Sequence, residues 1–149
     1  MSMETTCHDA VFGLMTYHHQ WQKKSSLNFL GQEWPVLIAA QAYTGDPIIP
    51  AEQETYLWVQ KNWNSLQGKA EQSLKEYIWE SCEAVAQYWP AIRGLETSAE
   101  IAQAVTPRIL RFQRDGSAIL LLDCLWDAEN GLGIRLYPTV TAAGQDFFL

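Results

Sequence analysis

The chain has too few cysteines to build a scaffold. Cys7, Cys82 and Cys124 are odd in number and far apart, with no C-x-x-C pair. This excludes a disulfide framework and gives no sign of a zinc site, so a reducing cytoplasm is the expected compartment. Long apolar runs are also missing. None approaches the roughly 18 residues of a membrane span. The opening "MSMETTCHDAVFGLM" has no basic segment followed by an apolar one, so a soluble protein without a secretory signal is expected. Basic residues are scarce: ten Lys and Arg against seventeen Asp and Glu give a formal charge of −7. That balance disfavours nucleic acid and anionic membrane surfaces as partners and favours a basic protein. Lys23-Lys24 and the set Arg108, Arg111 and Arg114 are too sparse for a basic footprint and read as solvated sheet.

Enzyme signatures are absent as well. There is no G-x-S-x-G elbow, H-E-x-x-H helix, phosphate-binding P-loop or dinucleotide fingerprint, and "GLG" at Gly131–Gly133 reads as turn chemistry. No catalytic residue, metal or cofactor is expected. His18-His19, with His8 nearby, does not invert this, because adjacent strand residues point to opposite faces and cannot readily share an ion.

What the chain does have is material for one core. Its 149 residues are 48% hydrophobic, enough for a single domain over 1–149 to bury most of its unfolded surface, and no linker or repeat divides it. Between Val11 and Tyr43, "VFGLMTY", "WQKKSSLNFL" and "WPVLIAAQAY" alternate with "HHQ" and "GQE", which predicts an antiparallel meander. "TGDPIIP" ends it, with Pro50, Glu52 and Glu54 suited to a helix start. Tyr56, Val59, Trp63, Leu66, Ala70, Leu74, Tyr77, Ser81, Val85 and Tyr88 then recur at helical steps. Unbroken to Trp89, that helix would be about 58 Å long at about 1.5 Å per residue. A compact domain of this size is only roughly 40 Å across, so a break near Gly68 is expected. "TSAE" at Thr97–Glu100 predicts a capped short helix running to about Val105.

After Pro107, "RILRFQR", "SAILLLDCLWD" and "LGIRLYP" read as strands joined by two-residue turns at Asp115-Gly116 and Asn130-Gly131. Those turns would set Arg108 opposite Asp123 and Trp126 opposite Arg135. The fold class is α+β: a largely antiparallel sheet, N-terminal meander plus C-terminal hairpins, with two main helices and one short helix on one face.

The segment "DCLWDAENGLGIRL" carries the functional question. Asp123, Asp127 and Glu129 crowd the end of an apolar strand. They fit a solvated hairpin rim, with Asp123 balancing Arg108. They also fit a hard-cation site, though without the D-x-D-x-D-G spacing, or a carboxylate pair for catalysis. A fourth reading is an acidic recognition edge beside Trp126, with Asn130 in its turn. Among seven tryptophans, Trp63 and Trp89 fall on the helical stripe, whereas Trp58 and Trp79 fall off it. Trp79 stands among acids that include Glu80 and Glu83 and would suit a partner surface if exposed.

"CLWDAENGLGIRL" followed by "AAGQDFFL" resembles an uncharacterised bacterial domain family with a W-D-x-E-x-G-L-G hairpin and a closing G-x-x-D segment. The matching positions are Trp126, Asp127, Glu129, Gly131, Leu132, Gly133, Gly144 and Asp146, the last two standing one residue closer together than the G-x-x-D spacing. The layout is similar too, with Gln53 at the central helix start and Thr106-Pro107 before the returning strands. Several such families lie beside polymorphic toxin genes and act as immunity proteins. The resemblance therefore implies a non-enzymatic role: stoichiometric occlusion of a cognate, basic toxin through Asp123, Trp126, Asp127, Glu129, Asn130, Trp58, Trp79, Glu80 and Glu83. The charge suits a nuclease target without identifying one. The alternatives are a small metal-binding or carboxylate enzyme centred on Asp123, Asp127 and Glu129, and a housekeeping interaction domain.

Overall fold

The computed structural model describes residues 5–148, apart from the side chain of Asp146, which lies outside the description together with its place in the G-x-x-D segment. Eight strands form one sheet in sequence order: β1 Thr6–Asp9, β2 Gly13–Tyr17, β3 Trp21–Phe29, β4 Gln32–Ala40, β5 Val105–Phe112, β6 Ala118–Cys124, β7 Leu132–Tyr137 and β8 Thr141–Gly144. Neighbours are antiparallel except β4 and β5, which run parallel with Ile38 opposite Leu110. Parallel neighbours need a crossover, and the chain supplies it with α1 (Pro50–Ala86). A 3-10 turn at Pro90–Gly94 and the short helix α2 (Ser98–Ala102) complete the connection. The protein is thus α+β, with its meander one strand longer than expected. Cys7 belongs to that extra strand, opposite Met15.

The expected break at Gly68 does not occur. α1 is one 37-residue helix, about 55 Å long. The spherical estimate failed because eight strands spaced about 4.8 Å apart make a sheet about 34 Å wide, which a long helix can cross obliquely. Glycine costs an exposed helix interior only about 1 kcal/mol. The stripe of Leu66, Ala70, Leu74 and Ile78 passes through that point fully buried. The two main helices expected are therefore one, with α2 as the short helix. Tyr88, placed on the stripe, lies past the helix end and is exposed.

Local chemistry fixes the ends of α1. Pro50 occupies the first turn, and the Ile49 N–H donates to Glu52 Oε1 at 3.1 Å. At the start of the helix, Tyr56 packs against Phe12 (centroids 4.3 Å) and Phe112 (5.2 Å). Lys23, reaching from β3, has its ammonium 5.3 Å from the Tyr56 ring centroid and donates to the Phe12 carbonyl. Midway, Trp63 Nε1 donates to Asn28 O of β3 at 2.8 Å, while Ser73 Oγ accepts from Ala142 N of β8 at 2.9 Å. α1 thus crosses the sheet obliquely, meeting β3 through Trp63 and the edge strand β8 through Ser73. α2 carries the expected capping box: Glu100 N donates to Thr97 Oγ1 and Thr97 N to Glu100 Oε1. It stops at Ala102, because Val105 already belongs to β5.

The strand registers differ from expectation at both C-terminal turns. β5 and β6 are joined by Gln113–Ser117, and a bulge between Pro107 and Ile109 places Thr106, not Arg108, opposite Asp123. Gln113 N donates to Ser117 O at 2.9 Å, so the reversal holds three residues, Arg114–Gly116, with Gly116 at φ +88°, and not two. β6 and β7 are joined by the loop Leu125–Gly131, so Trp126 faces no strand partner and Arg135 pairs with Ile119.

A Cβ at Gly68 would meet nothing within 4 Å. Gly68→Ala should therefore raise stability by about 0.5–1 kcal/mol in thermal or denaturant unfolding. A loss of stability would show that α1 needs a flexible point there.

Candidate partner surface

The acidic segment divides between structural and exposed residues. Trp126 is 7% exposed and stacks on Trp89 at 5.6 Å, inclined 30°. Its place in a recognition surface is thereby corrected: the indole fastens the β6–β7 loop to the end of α1. Trp126 keeps the inward side of Leu122 and Cys124, two residues apart along the chain, and finds Trp89 there to stack on. Asp127 is half-buried and accepts at Oδ1 from Asn130 N and Asn130 Nδ2, both at 3.2 Å, while its carbonyl accepts from Gly131 N at 2.9 Å. It shapes the loop. Asp123 pairs with Arg108 Nε at 2.8 Å, both side chains more than half exposed, so this bridge contributes little. Glu129 and Asn130 are exposed at the loop tip.

The glycines of the motif are equally structural. Gly131 takes φ +69°, and a Cβ there would lie 2.5 Å from Leu122 O; one at Gly133 would lie 2.6 Å from Phe148 Cδ2. Leu132 is buried in the core. Thus Trp126, Asp127, Gly131, Leu132 and Gly133 are explained by folding, and Glu129 alone of the W-D-x-E-x-G-L-G positions presents a free side chain.

Among the described residues no three His, Cys, Asp or Glu side chains converge as a metal site. Asp123 lies on a strand face with Arg108, Asp127 is held by Asn130, and Glu129 stands outside. Cys124 offers no nucleophile: burial pushes its thiol up to about 11, and Sγ lies 3.7 Å from Asp127 O. His18 and His19 occupy the exposed β2–β3 turn, His19 with φ +66°.

Trp79 is 83% exposed and Trp58 39%, whereas Trp63 of α1 is partly buried against the core; Trp89, expected on the helical stripe, lies three residues past the helix end and is partly buried there. Glu76 and Glu83 lie three residues before and four after Trp79, which makes them its neighbours on the helix surface, and Glu80 lies between them on the solvent side. On the other flank of Trp79 a groove of about 410 Å³ has Ile78, Cys82, Ile92 and Leu95 in its wall, with Lys75 and Arg93 beside them. Trp58 stands apart: 21 residues earlier is about 31 Å along the axis, and its ring packs on Tyr137 at 5.0 Å. Trp79, Glu80 and Glu83 lie in the last turns of α1, the end beyond which Trp89 stacks on Trp126 of the β6–β7 loop. Burial pushes the nearby Tyr77 hydroxyl above its ordinary value. Trp58 is not part of this surface.

Sequence reasoning missed two polar groups. Glu52, read only as a favourable first-turn acid, is fully buried; its Oε2 has no partner, and Arg114 Nη1 is 3.8 Å from Oε1. Desolvation pushes its carboxyl above the ordinary value of 4.5, with Arg114 opposing and Asp9 adding to the rise. Asp9 itself accepts from Gln53 Nε2, Val11 N and Phe12 N. Arg111, read as solvated, is half-buried with Nε shielded from water and unpartnered.

A family model described as a domain of unknown function (DUF6985) matches residues 11–145, and the chain belongs to that family. No curated protein and no solved structure matches it.

Two tests follow from these placements. Trp126→Ala should cost about 3–5 kcal/mol in denaturant unfolding, against about 0.5 kcal/mol or less for Trp79→Ala. Equal small effects would mean that Trp126 is not a core residue. For Glu52 the folded protein binds a proton more readily than the unfolded chain. Stability therefore falls as pH rises from about 4.5 through the higher folded value. Glu52→Gln should flatten that part of the Tm–pH curve and raise Tm at pH 7 relative to the parent, while an unchanged slope would show the carboxyl is not strained by burial.

Proposed function

We propose that this protein is a stoichiometric inhibitor of the immunity type, which covers a basic toxin using the exposed end of α1. The observation that carries the reading is Trp79, 83% exposed on a rigid helix, flanked on one side by Glu76, Glu80 and Glu83 and on the other by an apolar groove. An exposed indole supplies contact area at little entropic cost, and desolvated aromatic anchors dominate many interfaces. The glutamates steer a cationic surface toward it. Glu129 and Asn130, exposed at the loop tip, extend the same end of the molecule. Occlusion requires no chemistry from the inhibitor, only a preformed surface, and the long packed helix provides one. The immunity assignment itself comes from the resemblance of the C-terminal segment. Three unpaired cysteines fit a reducing compartment, and among the described residues no helix is long and apolar enough to cross a membrane.

The test is co-expression with a toxin encoded beside the gene, followed by titration of the purified pair. Trp79→Ala combined with Glu80→Lys and Glu83→Lys should weaken the complex by about 30-fold or more and remove protection, with Tm unchanged. Full protection by this variant, or absence of any neighbouring toxin that the protein binds, overturns the reading. Trp58→Ala should leave binding intact.

A further inference from the structure

On the sheet face opposite α1, a cavity of about 460 Å³ is lined by Gln41, Arg111, Gln113, Asp115 and Phe148. Strand alternation sets Arg111 there, because Leu110 and Phe112 on either side of it are buried toward the helix. The register places Arg111 between Ala39 and Ile119, both buried, so the guanidinium stem is enclosed by apolar strand residues. The Phe148 ring, folded onto Gly133, supplies an apolar wall.

The polar lining is made of unused donors. Gln41 Oε1 accepts from Arg114 N at 3.1 Å, and Gln113 Oε1 accepts from Ser117 Oγ at 3.0 Å. Each amide oxygen is thus committed to the fold, and each NH2 group has no acceptor among the described residues. Arg111 likewise makes no ion pair or hydrogen bond among them, and its Nε is shielded from water. Burial pushes the guanidinium below its ordinary value, yet an arginine stays charged. The other charged wall, Asp115, is exposed at the rim, where its Oδ1 accepts from Ser117 N at 2.8 Å and Ser117 Oγ at 2.6 Å. It does not neutralise Arg111, since no pair forms within 4.0 Å.

We propose that this cavity binds the oxyanion group, carboxylate or phosphate, of a small ligand, held by the Arg111 fork and the amide groups of Gln41 and Gln113 against the Phe148 ring. A half-buried guanidinium whose Nε is shielded from water and unpartnered gains from an anion that completes it, and its planar fork matches both oxyanions bidentately. The volume lies within the range of small-molecule sites. The site is separate from the Trp79 surface and does not depend on it.

Inorganic phosphate and acetate are the probes, titrated separately at constant ionic strength against a chloride control, with the side-chain amide signals of Gln41 and Gln113 followed by 1H–15N NMR. At least one of the two ions should shift both amides saturably, and the ion that saturates first identifies the preferred oxyanion. Arg111→Gln should weaken that binding at least ~10-fold. Arg111→Lys, keeping charge without the fork, should fall between. Gln113→Leu, which removes one donor and no charge, should also weaken it and serves if Arg111→Gln disturbs the fold. Shifts that never saturate with either ion, or that persist unchanged in Arg111→Gln and Gln113→Leu, overturn the proposal.

Discussion

The parallel pairing of β4 with β5 is the constraint from which the rest of the molecule follows. A hairpin cannot join parallel neighbours, so the chain must leave the sheet at Ala40 and return at Val105 in the same direction, and everything between has to lie over one face. The helix fills that requirement only because its apolar stripe is continuous from Tyr56 to Val85. Aromatic packing of Tyr56 on Phe12 and Phe112 sets one end, and the Trp89–Trp126 stack sets the other. With both ends fixed, the solvent side of α1 becomes a rigid platform, and Trp79 cannot withdraw into the core.

This arrangement changes the meaning of the W-D-x-E-x-G-L-G segment. In an isolated hairpin those residues would advertise an acidic tip. Packed under the end of α1, they serve instead to close the fold: an indole driven inward, an aspartate holding a loop, a glycine where a carbonyl passes at 2.5 Å from any added Cβ, and a second glycine under Phe148.

How far the sequence reading reached depended on the range of the interaction that decided each feature. Periodicity and capping are local, and they located α1, α2 and most strands. The turn at His18-His19 was legible for the same reason, as was the position of Trp58 and Trp79 off the buried stripe, though only the fold decided that Trp79 is free and Trp58 packs on Tyr137. The failures are all non-local. Whether Gly68 breaks α1 depends on the width of a sheet assembled from both halves of the chain. The direction of Trp126 depends on Trp89, 37 residues away. The registers of β5, β6 and β7 depend on a bulge and two loop lengths that Asp-Gly and Asn-Gly dipeptides do not encode by themselves. Glu52 and Arg111 looked like ordinary surface charges because their burial is produced by strands distant in sequence.

Charge follows the same division of the fold into two faces. The glutamates at 76, 80 and 83 lie on the solvent side of α1, while pairing places Lys24, Arg108, Arg111 and Arg135 on the sheet's opposite face, where Asp123 and Thr139 partner two of them. A net charge of −7 therefore describes neither surface. Under the proposed reading, a cationic partner would meet Glu76, Glu80 and Glu83 on the helix side, and a small anion would meet Arg111 on the sheet side. Because the sheet and its core separate the two faces, occupancy of one site adds no charge beside the other. Any coupling between them would have to travel through α1, whose buried stripe packs against the same strands that carry Arg111.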